Sequence, residues 1–297
     1  MNEKFKLITG FRLLISSVLV LFFFDSCAQN KDIRLIVRAD DIGAAHSINE
    51  ACIEVYKNGI ARSVEIMVPC PWYPEAVKML KDVPGYDVGI HLTMTSEWEN
   101  VKWGPVSHAP SLTDENGYFY PTYWAGENFT EAQTLTHNNW SPEEVEQELR
   151  AQIEKALADL PGRISHMGIH MGGAGADPRI AEIQAKLAEE YGLITSLEPF
   201  GVQSFDGFKG AREGREMTEN LLEGLENLKP GNYLFIDHPA YDTPEIQALG
   251  HKGYMNVAEN RDGVTKAWTD PRVKDVISRR GIQLISYADL IKSQSTK

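Results

Sequence analysis

The sequence predicts an α/β fold: a single (β/α) barrel-like domain with about seven parallel strands. Three observations lead there. Short apolar runs alternate with segments of helical apolar spacing along most of the chain. About seven such units follow one another with no change of composition regime. No internal repeat or low-complexity tract interrupts them. A doubly wound open sheet is the alternative, but no G-x-G-x-x-G follows the first strand. Gly168, Gly172, Gly173 and Gly175 lack that spacing, which leaves a dinucleotide site with little support.

The elements come in order. Residues 33–39 (IRLIVRA) read as a first strand running into Asp40-Asp41, and 46–58 as a helix stopped by Gly59. Residues 63–68 and 74–81 are a second strand and helix, and 86–92 a third strand. Ser141-Pro142-Glu143-Glu144 opens a helix to residue 159, with Pro161-Gly162 beyond its end. Residues 164–169 are strand four, and Asp177-Pro178 opens a helix closed by Gly192. Strand five is expected at 193–197, a helix at 215–228, strand six at 233–236, a helix at 273–279 and strand seven at 282–286.

The 297 residues are 42% hydrophobic and 24% charged, which excludes disorder, collagen and coiled coil as the dominant state. A net charge of −13 argues against a general nucleic-acid binder, which needs a basic face. Three cysteines are too few for a disulfide scaffold, although Cys52 and Cys70 are a candidate pair in an oxidising compartment; two buried thiols are the alternative.

The N-terminus reads as an export signal. Lys4, Lys6 and Arg12 precede the run LLISSVLVLFFF, which is too short for a spanning helix of roughly 20 residues. Residues 1–27 are therefore expected to leave the mature chain, with Cys27 as the lipidated first residue of a bacterial lipoprotein. Ordinary cleavage before Gln29 is the second option. Either places the domain of residues 28–297 in the periplasm or at the outer-membrane or cell surface, touching membrane only through the lipid.

Residues 93–140 form a connection of unusual length, and loops that long are commonly functional. It is aromatic, from Trp98 and Trp103 to Trp140. Such rings suit the apolar faces of sugars, although packing of the loop onto the barrel explains them equally simply.

In a βα barrel the chemistry sits at the C-terminal ends of the strands. Strand one ends at Asp40-Asp41, strand three carries His91, strand four His166 and His170, and strand six Asp237-His238. A carboxylate with two imidazoles suits a divalent metal, zinc or a harder ion. Such an ion lowers the pKa of water toward about 7. A second carboxylate is then available as base and an imidazole as acid.

Those residues resemble the YdjC-like family, the chitooligosaccharide deacetylases and their hopanoid-associated relatives. Ala39-Asp40-Asp41-Ile42-Gly43 is similar to the family's A-D-D-F-G, and Val88-Gly89-Ile90-His91-Leu92 to its V-G-x-H-L. Pro110-Ser111-Leu112 with Asp114 to Phe119, the helix around Glu148 to Ile153, and His238-Pro239-Ala240-Tyr241 match further pieces in the same order. The resemblance implies metal-dependent removal of acetyl from a small N-acetylated amino sugar or oligosaccharide. It implies Asp41, His91 and His170 as ligands to one divalent ion: zinc or magnesium first, nickel, cobalt or manganese after. Asp40 is then the base, and His238 the acid or oxyanion partner. There are departures. Gly168 stands where the family has aspartate in H-x-D-x-H, Gly172 and Ala174 replace later histidines, and Arg38 stands where asparagine is common.

Glu65, a charge in an apolar strand, either faces the barrel to aid metal or substrate or is ion-paired, Arg38 being the candidate partner. Glu198, Tyr241, His166, Trp98 and Trp103 are further candidates for substrate contact. Two other functions compete. A glycoside hydrolase needs a second acid such as Glu65 or Glu198. A sugar-binding lipoprotein with decayed catalysis is the other.

Overall fold

The computed structural model describes residues 32–294, so residues 1–27, expected to form a leader, lie outside the described residues, Cys27 among them. Among the described residues there are seven strands: β1 (Ile33–Ile42), β2 (Ser63–Ile66), β3 (Asp87–Leu92), β4 (Ile164–Ile169), β5 (Val202–Ser204), β6 (Gly231–Asp237) and β7 (Gln283–Ile285). The helices between and after them are α1 (His46–Lys57), α2 (Tyr73–Lys81), α3 (Pro142–Asp159), α4 (Pro178–Tyr191), α5 (Gly214–Asn227), α6 (Pro244–Gln247), α7 (Val257–Thr269), α8 (Pro271–Arg280) and α9 (Tyr287–Gln294).

The strands make one parallel sheet in the order β4-β3-β2-β1-β6-β5. β7 joins the first half of β1 on the edge that β2 takes over from Arg38 onward. Among the described residues no ladder closes β4 onto β5, so the barrel is partial. Residues 193–197 are not the fifth strand. Ile194 makes a lone bridge to His166, and the paired strand comes later at Val202–Ser204. Pro199, which has no N–H to give a ladder, comes two positions after Leu197. Leu197 instead packs with Ile36, Ile285 and Tyr287.

One irregularity shapes everything above it. β1 pairs Ala39 with Val64 but Ile42 with Ile66, so β1 spends one extra residue there. Asp41 sits in this bulge at φ 73°. In a regular strand adjacent side chains point to opposite faces. The bulge re-aims one of them and turns both Asp40 and Asp41 toward the same rim.

The long 93–140 connection is packed down. Trp103, Phe119, Tyr123 and Leu135 are buried in the main core. Glu148 of α3, fully buried, accepts from Val106 N (3.1 Å), Ser107 N (2.8 Å) and Ser107 Oγ (2.6 Å). Packing therefore accounts for most of the loop's aromatic content. Cys52 and Cys70 are free and separately buried, and burial pushes both thiols up. Among the described residues no helix is long and apolar enough to cross a membrane.

Candidate active site

Four strand ends meet at one rim. Asp41 comes from the β1 bulge, His91 from the end of β3, and His170 follows β4 directly. His91 Nε2 and His170 Nδ1 face each other at 3.1 Å, and each lies 3.5 Å from Asp41 Oδ1. That oxygen is buried and accepts no hydrogen bond. Two imidazole nitrogens on a tetrahedral zinc at about 2.05 Å would lie roughly 3.3 Å apart. The three donor atoms thus already have the spacing of ligands to one ion, and their chemistry fits a divalent metal.

The rear of each imidazole is held. His91 Nδ1 bonds to Glu65 Oε2, and His170 Nε2 lies 3.1 Å from Glu97 Oε2. Such outer carboxylates orient a ligating histidine and fix which nitrogen is free for the metal. Arg38 grips Asp40 through Nε (2.7 Å) and Nη2 (2.8 Å), while its Nη1 reaches Glu65 Oε1 at 2.7 Å and the Tyr287 hydroxyl at 2.8 Å. Arg261 of α7 donates to Asp41 Oδ2 at 2.8 Å, leaving Oδ1 free.

Charge accounts for the direction of the shifts. Burial would raise Asp41, yet Arg261 and the surrounding imidazoles hold it well below the ordinary carboxylate range. Burial would lower His170, but the Glu97 carboxylate raises it. Asp40, Asp41, Glu65 and Glu97 are all buried carboxylates, and Arg38 and Arg261 are the guanidiniums among them. Carboxylates thus outnumber guanidiniums here, a surplus that favours a bound cation.

In front of the cluster lies a cavity of about 480 Å³ walled by Trp98, His170, His238, His251, Tyr254 and Arg261. Trp98 is stacked with His251 (5.8 Å) and carries the Arg261 guanidinium 5.4 Å over its ring. His238 opens onto this cavity just past β6, and its side chain is 38% exposed. Burial works against its charged form, but Asp41 and Asp237 outweigh it and hold His238 above the ordinary imidazole value.

Residues 34–279 match the YdjC-like protein family. The chain belongs to that family. A carbohydrate deacetylase of Listeria monocytogenes is 35% identical over 276 residues, covering 86% of this chain and 100% of the relative. A carbohydrate deacetylase of Brevibacillus brevis is 29% identical over 276 residues, covering 86% and 99%. An Enterococcus faecalis protein described as a cellobiose-phosphate cleavage protein superposes with a TM-score of 0.68 at 24% identity, covering 87% of this chain and 99% of that one. It shares the fold.

This YdjC-like chain brings some expected residues together and leaves others apart. Asp40, Asp41, His91, His170 and His238 gather at the rim, and Trp98 lines the cavity. His166 is buried below, stacked face to face on Tyr287 at 3.7 Å, and burial lowers it to about 3. Glu65 is fully buried, ion-paired with Arg38 and in contact with His91 Nδ1. Trp103 is buried in the loop, its indole N–H on Thr95 O at 2.8 Å. Glu198 is exposed in a surface turn, because the strand expected to present it is absent. Tyr241 lies near Glu54, Glu50 and Asp262 rather than on the cavity wall. With Glu198 away and Glu65 enclosed behind His91, neither acid expected for a glycoside hydrolase faces the cavity. Sequence reasoning missed Glu97, Arg261, His251 and Tyr287.

Proposed function

We propose that the protein is a metal-dependent carbohydrate deacetylase that hydrolyses the N-acetyl group of an amino sugar or oligosaccharide. The observation that carries this reading is the convergence of Asp41, His91 and His170 within 3.1–3.5 Å, with Asp40 on the same side. The relatives named carbohydrate deacetylase supply the substrate class. A divalent cation held there would polarise the amide carbonyl and acidify a water.

The chain's own groups do the rest. Asp40, fixed by two bonds from Arg38, takes a proton from the attacking water. The C–N bond breaks as His238 gives its proton to the departing nitrogen; acetate and a free amine result. Trp98 offers an aromatic wall for the sugar ring. Asp41 keeps one oxygen for the ion because Arg261 occupies the other. The intact set of five rim residues favours catalysis over a decayed binding protein.

The test is elemental analysis of the purified protein beside His170→Ala, followed by acetate release from a panel of N-acetylated sugars. About one tightly held divalent ion per chain, lost in the variant, is expected. No metal in either, even after zinc, nickel and magnesium are supplied, would sink the mechanism. The same panel assigns the sugar and its chain length, and the ion recovered names the native metal.

We also propose export through residues 1–27 with lipid on Cys27, on the strength of the leader pattern. Labelling by a radioactive fatty acid that disappears in Cys27→Ala is the expected result. A labelled Cys27→Ala chain would refute it.

A further inference from the structure

We propose that Glu65 is a positioning residue for the metal centre, and that Gly168 is glycine because the Glu65 carboxylate fills the space its side chain would take. The inference rests on the metal reading above and adds to it a residue pair from two different strands.

β2 is four residues long and wholly buried, Ser63-Val64-Glu65-Ile66. A carboxylate at zero exposure in such a strand is expensive unless it is paired and hydrogen-bonded. Glu65 is both. Oε2 meets His91 Nδ1, and Oε1 meets Arg38 Nη1 at 2.7 Å. With Nδ1 committed to Glu65, the His91 ring presents Nε2, the nitrogen that faces Asp41 and His170. Glu65 therefore sets both the orientation and the tautomer of a ligand without touching the ion.

Gly168 sits opposite His91 in the β3–β4 pairing. Its φ lies outside the left-handed region, so backbone conformation does not call for glycine. Space does. A Cβ there would lie 2.9 Å from Glu65 Oε2, closer than real Cβ atoms come, and 3.0 Å from Oε1, so the carboxylate would have to shift. The carboxylate is held by Arg38 and His91 on its other sides and cannot swing away freely.

Asp40, Glu65 and His91 also offer three donors in one place, which suggests a second cation site. Arg38 answers that. Its guanidinium already contacts both carboxylates at 2.7–2.8 Å, so the position of a second cation is taken by a fixed one.

The test uses the full chain stripped with chelator and titrated with Zn²⁺ against a chromophoric competitor, with Co²⁺ absorption as a second readout. Glu65→Gln should weaken binding about 10- to 100-fold. Gly168→Ala, which alters no ligand, should weaken it similarly and shift the Co²⁺ bands. In a Glu65→Ala background, adding Gly168→Ala should cost nothing further, because there is no carboxylate left to displace. Melting of the stripped proteins checks that each is folded. Wild-type affinity in Gly168→Ala, or an equal loss in both backgrounds, overturns the proposal while the metal centre stands. No binding by the unsubstituted chain overturns the metal centre and the proposal with it.

Discussion

Asp40 and His238 have opposite duties around one cluster, and each is set up for its own. Asp40 is clamped by a guanidinium; Asp40→Asn is expected to retain metal and lose turnover, and full activity in that variant would remove the base assignment. His238 must carry its proton, and the carboxylates of Asp41 and Asp237 favour that form. Its protonated state persists above pH 6.5 and is lost as pH rises through the raised value. An alkaline fall of kcat/KM above that point is therefore expected. His238→Asn should lose roughly 10²-fold or more in rate, and with it that limb; an unchanged pH profile would reassign the acid. At this scale the sequence was informative where a reactive side chain ended a strand. Asp41, His91 and His170 were legible for that reason, and Gly168 was noticed as a departure, without its steric cause. Glu97 was not legible, because it lies in a connection with no periodicity to aim it. Arg261 was hidden because α7 buries Asn260, Arg261 and Thr265 alongside its apolar residues, which blurs the helical stripe.

At the scale of elements, the bulge in β1 and the stapled loop matter most. Strand alternation read from sequence would send Asp40 and Asp41 to opposite faces; only the extra residue between Ala39 and Ile42 brings them together. The expected fifth strand failed for a local reason. A run of five residues is ambiguous by periodicity alone, and here it became an irregular segment buried only at Leu193 and Leu197, with Pro199 two positions beyond. The loop's fate turns on Glu148, whose side chain collects two backbone amides, the Ser107 hydroxyl and Gln152 Nε2. Glu148→Ala removes the shared, fully buried acceptor of four hydrogen bonds, two of them from the half-buried Ser107 and one from the buried Gln152, at a cost of about 2–3 kcal/mol. A fall in Tm of roughly 5–10 °C is expected by calorimetry, with Glu148→Gln in between. An unchanged Tm would show that the aromatic packing alone holds the loop.

For the whole molecule, the excess of negative charge buried at the rim makes metal a stabilising ligand. At a free concentration a hundredfold above Kd, binding should add about 2.7 kcal/mol. Removing it with chelator should lower Tm, and Asp41→Ala should abolish the difference. Acid should act through His166. The folded protein holds this imidazole at about 3 while the unfolded chain titrates near 6.5. Stability is thus full above pH 6.5 and is lost as pH falls toward 3, because the unfolded state takes up the proton that the folded state refuses. His170 and His238, both raised, act in the opposite direction, so the His166 contribution is read as a difference: the Tm advantage of the stripped parent over His166→Gln should shrink from pH 7 to pH 5. A final feature lies at the far end of the chain. The family match stops at 279, yet β7 pairs with β1 and Tyr287 just beyond it both stacks on His166 and bonds Arg38. Every rim residue named above is synthesised before Tyr287 is. A nascent or clipped chain ending at 280 would carry all the ligands and the base, with Arg38 left without its tyrosine support. The base Asp40 thus leans, through Arg38, on a residue that the family's matched segment does not include.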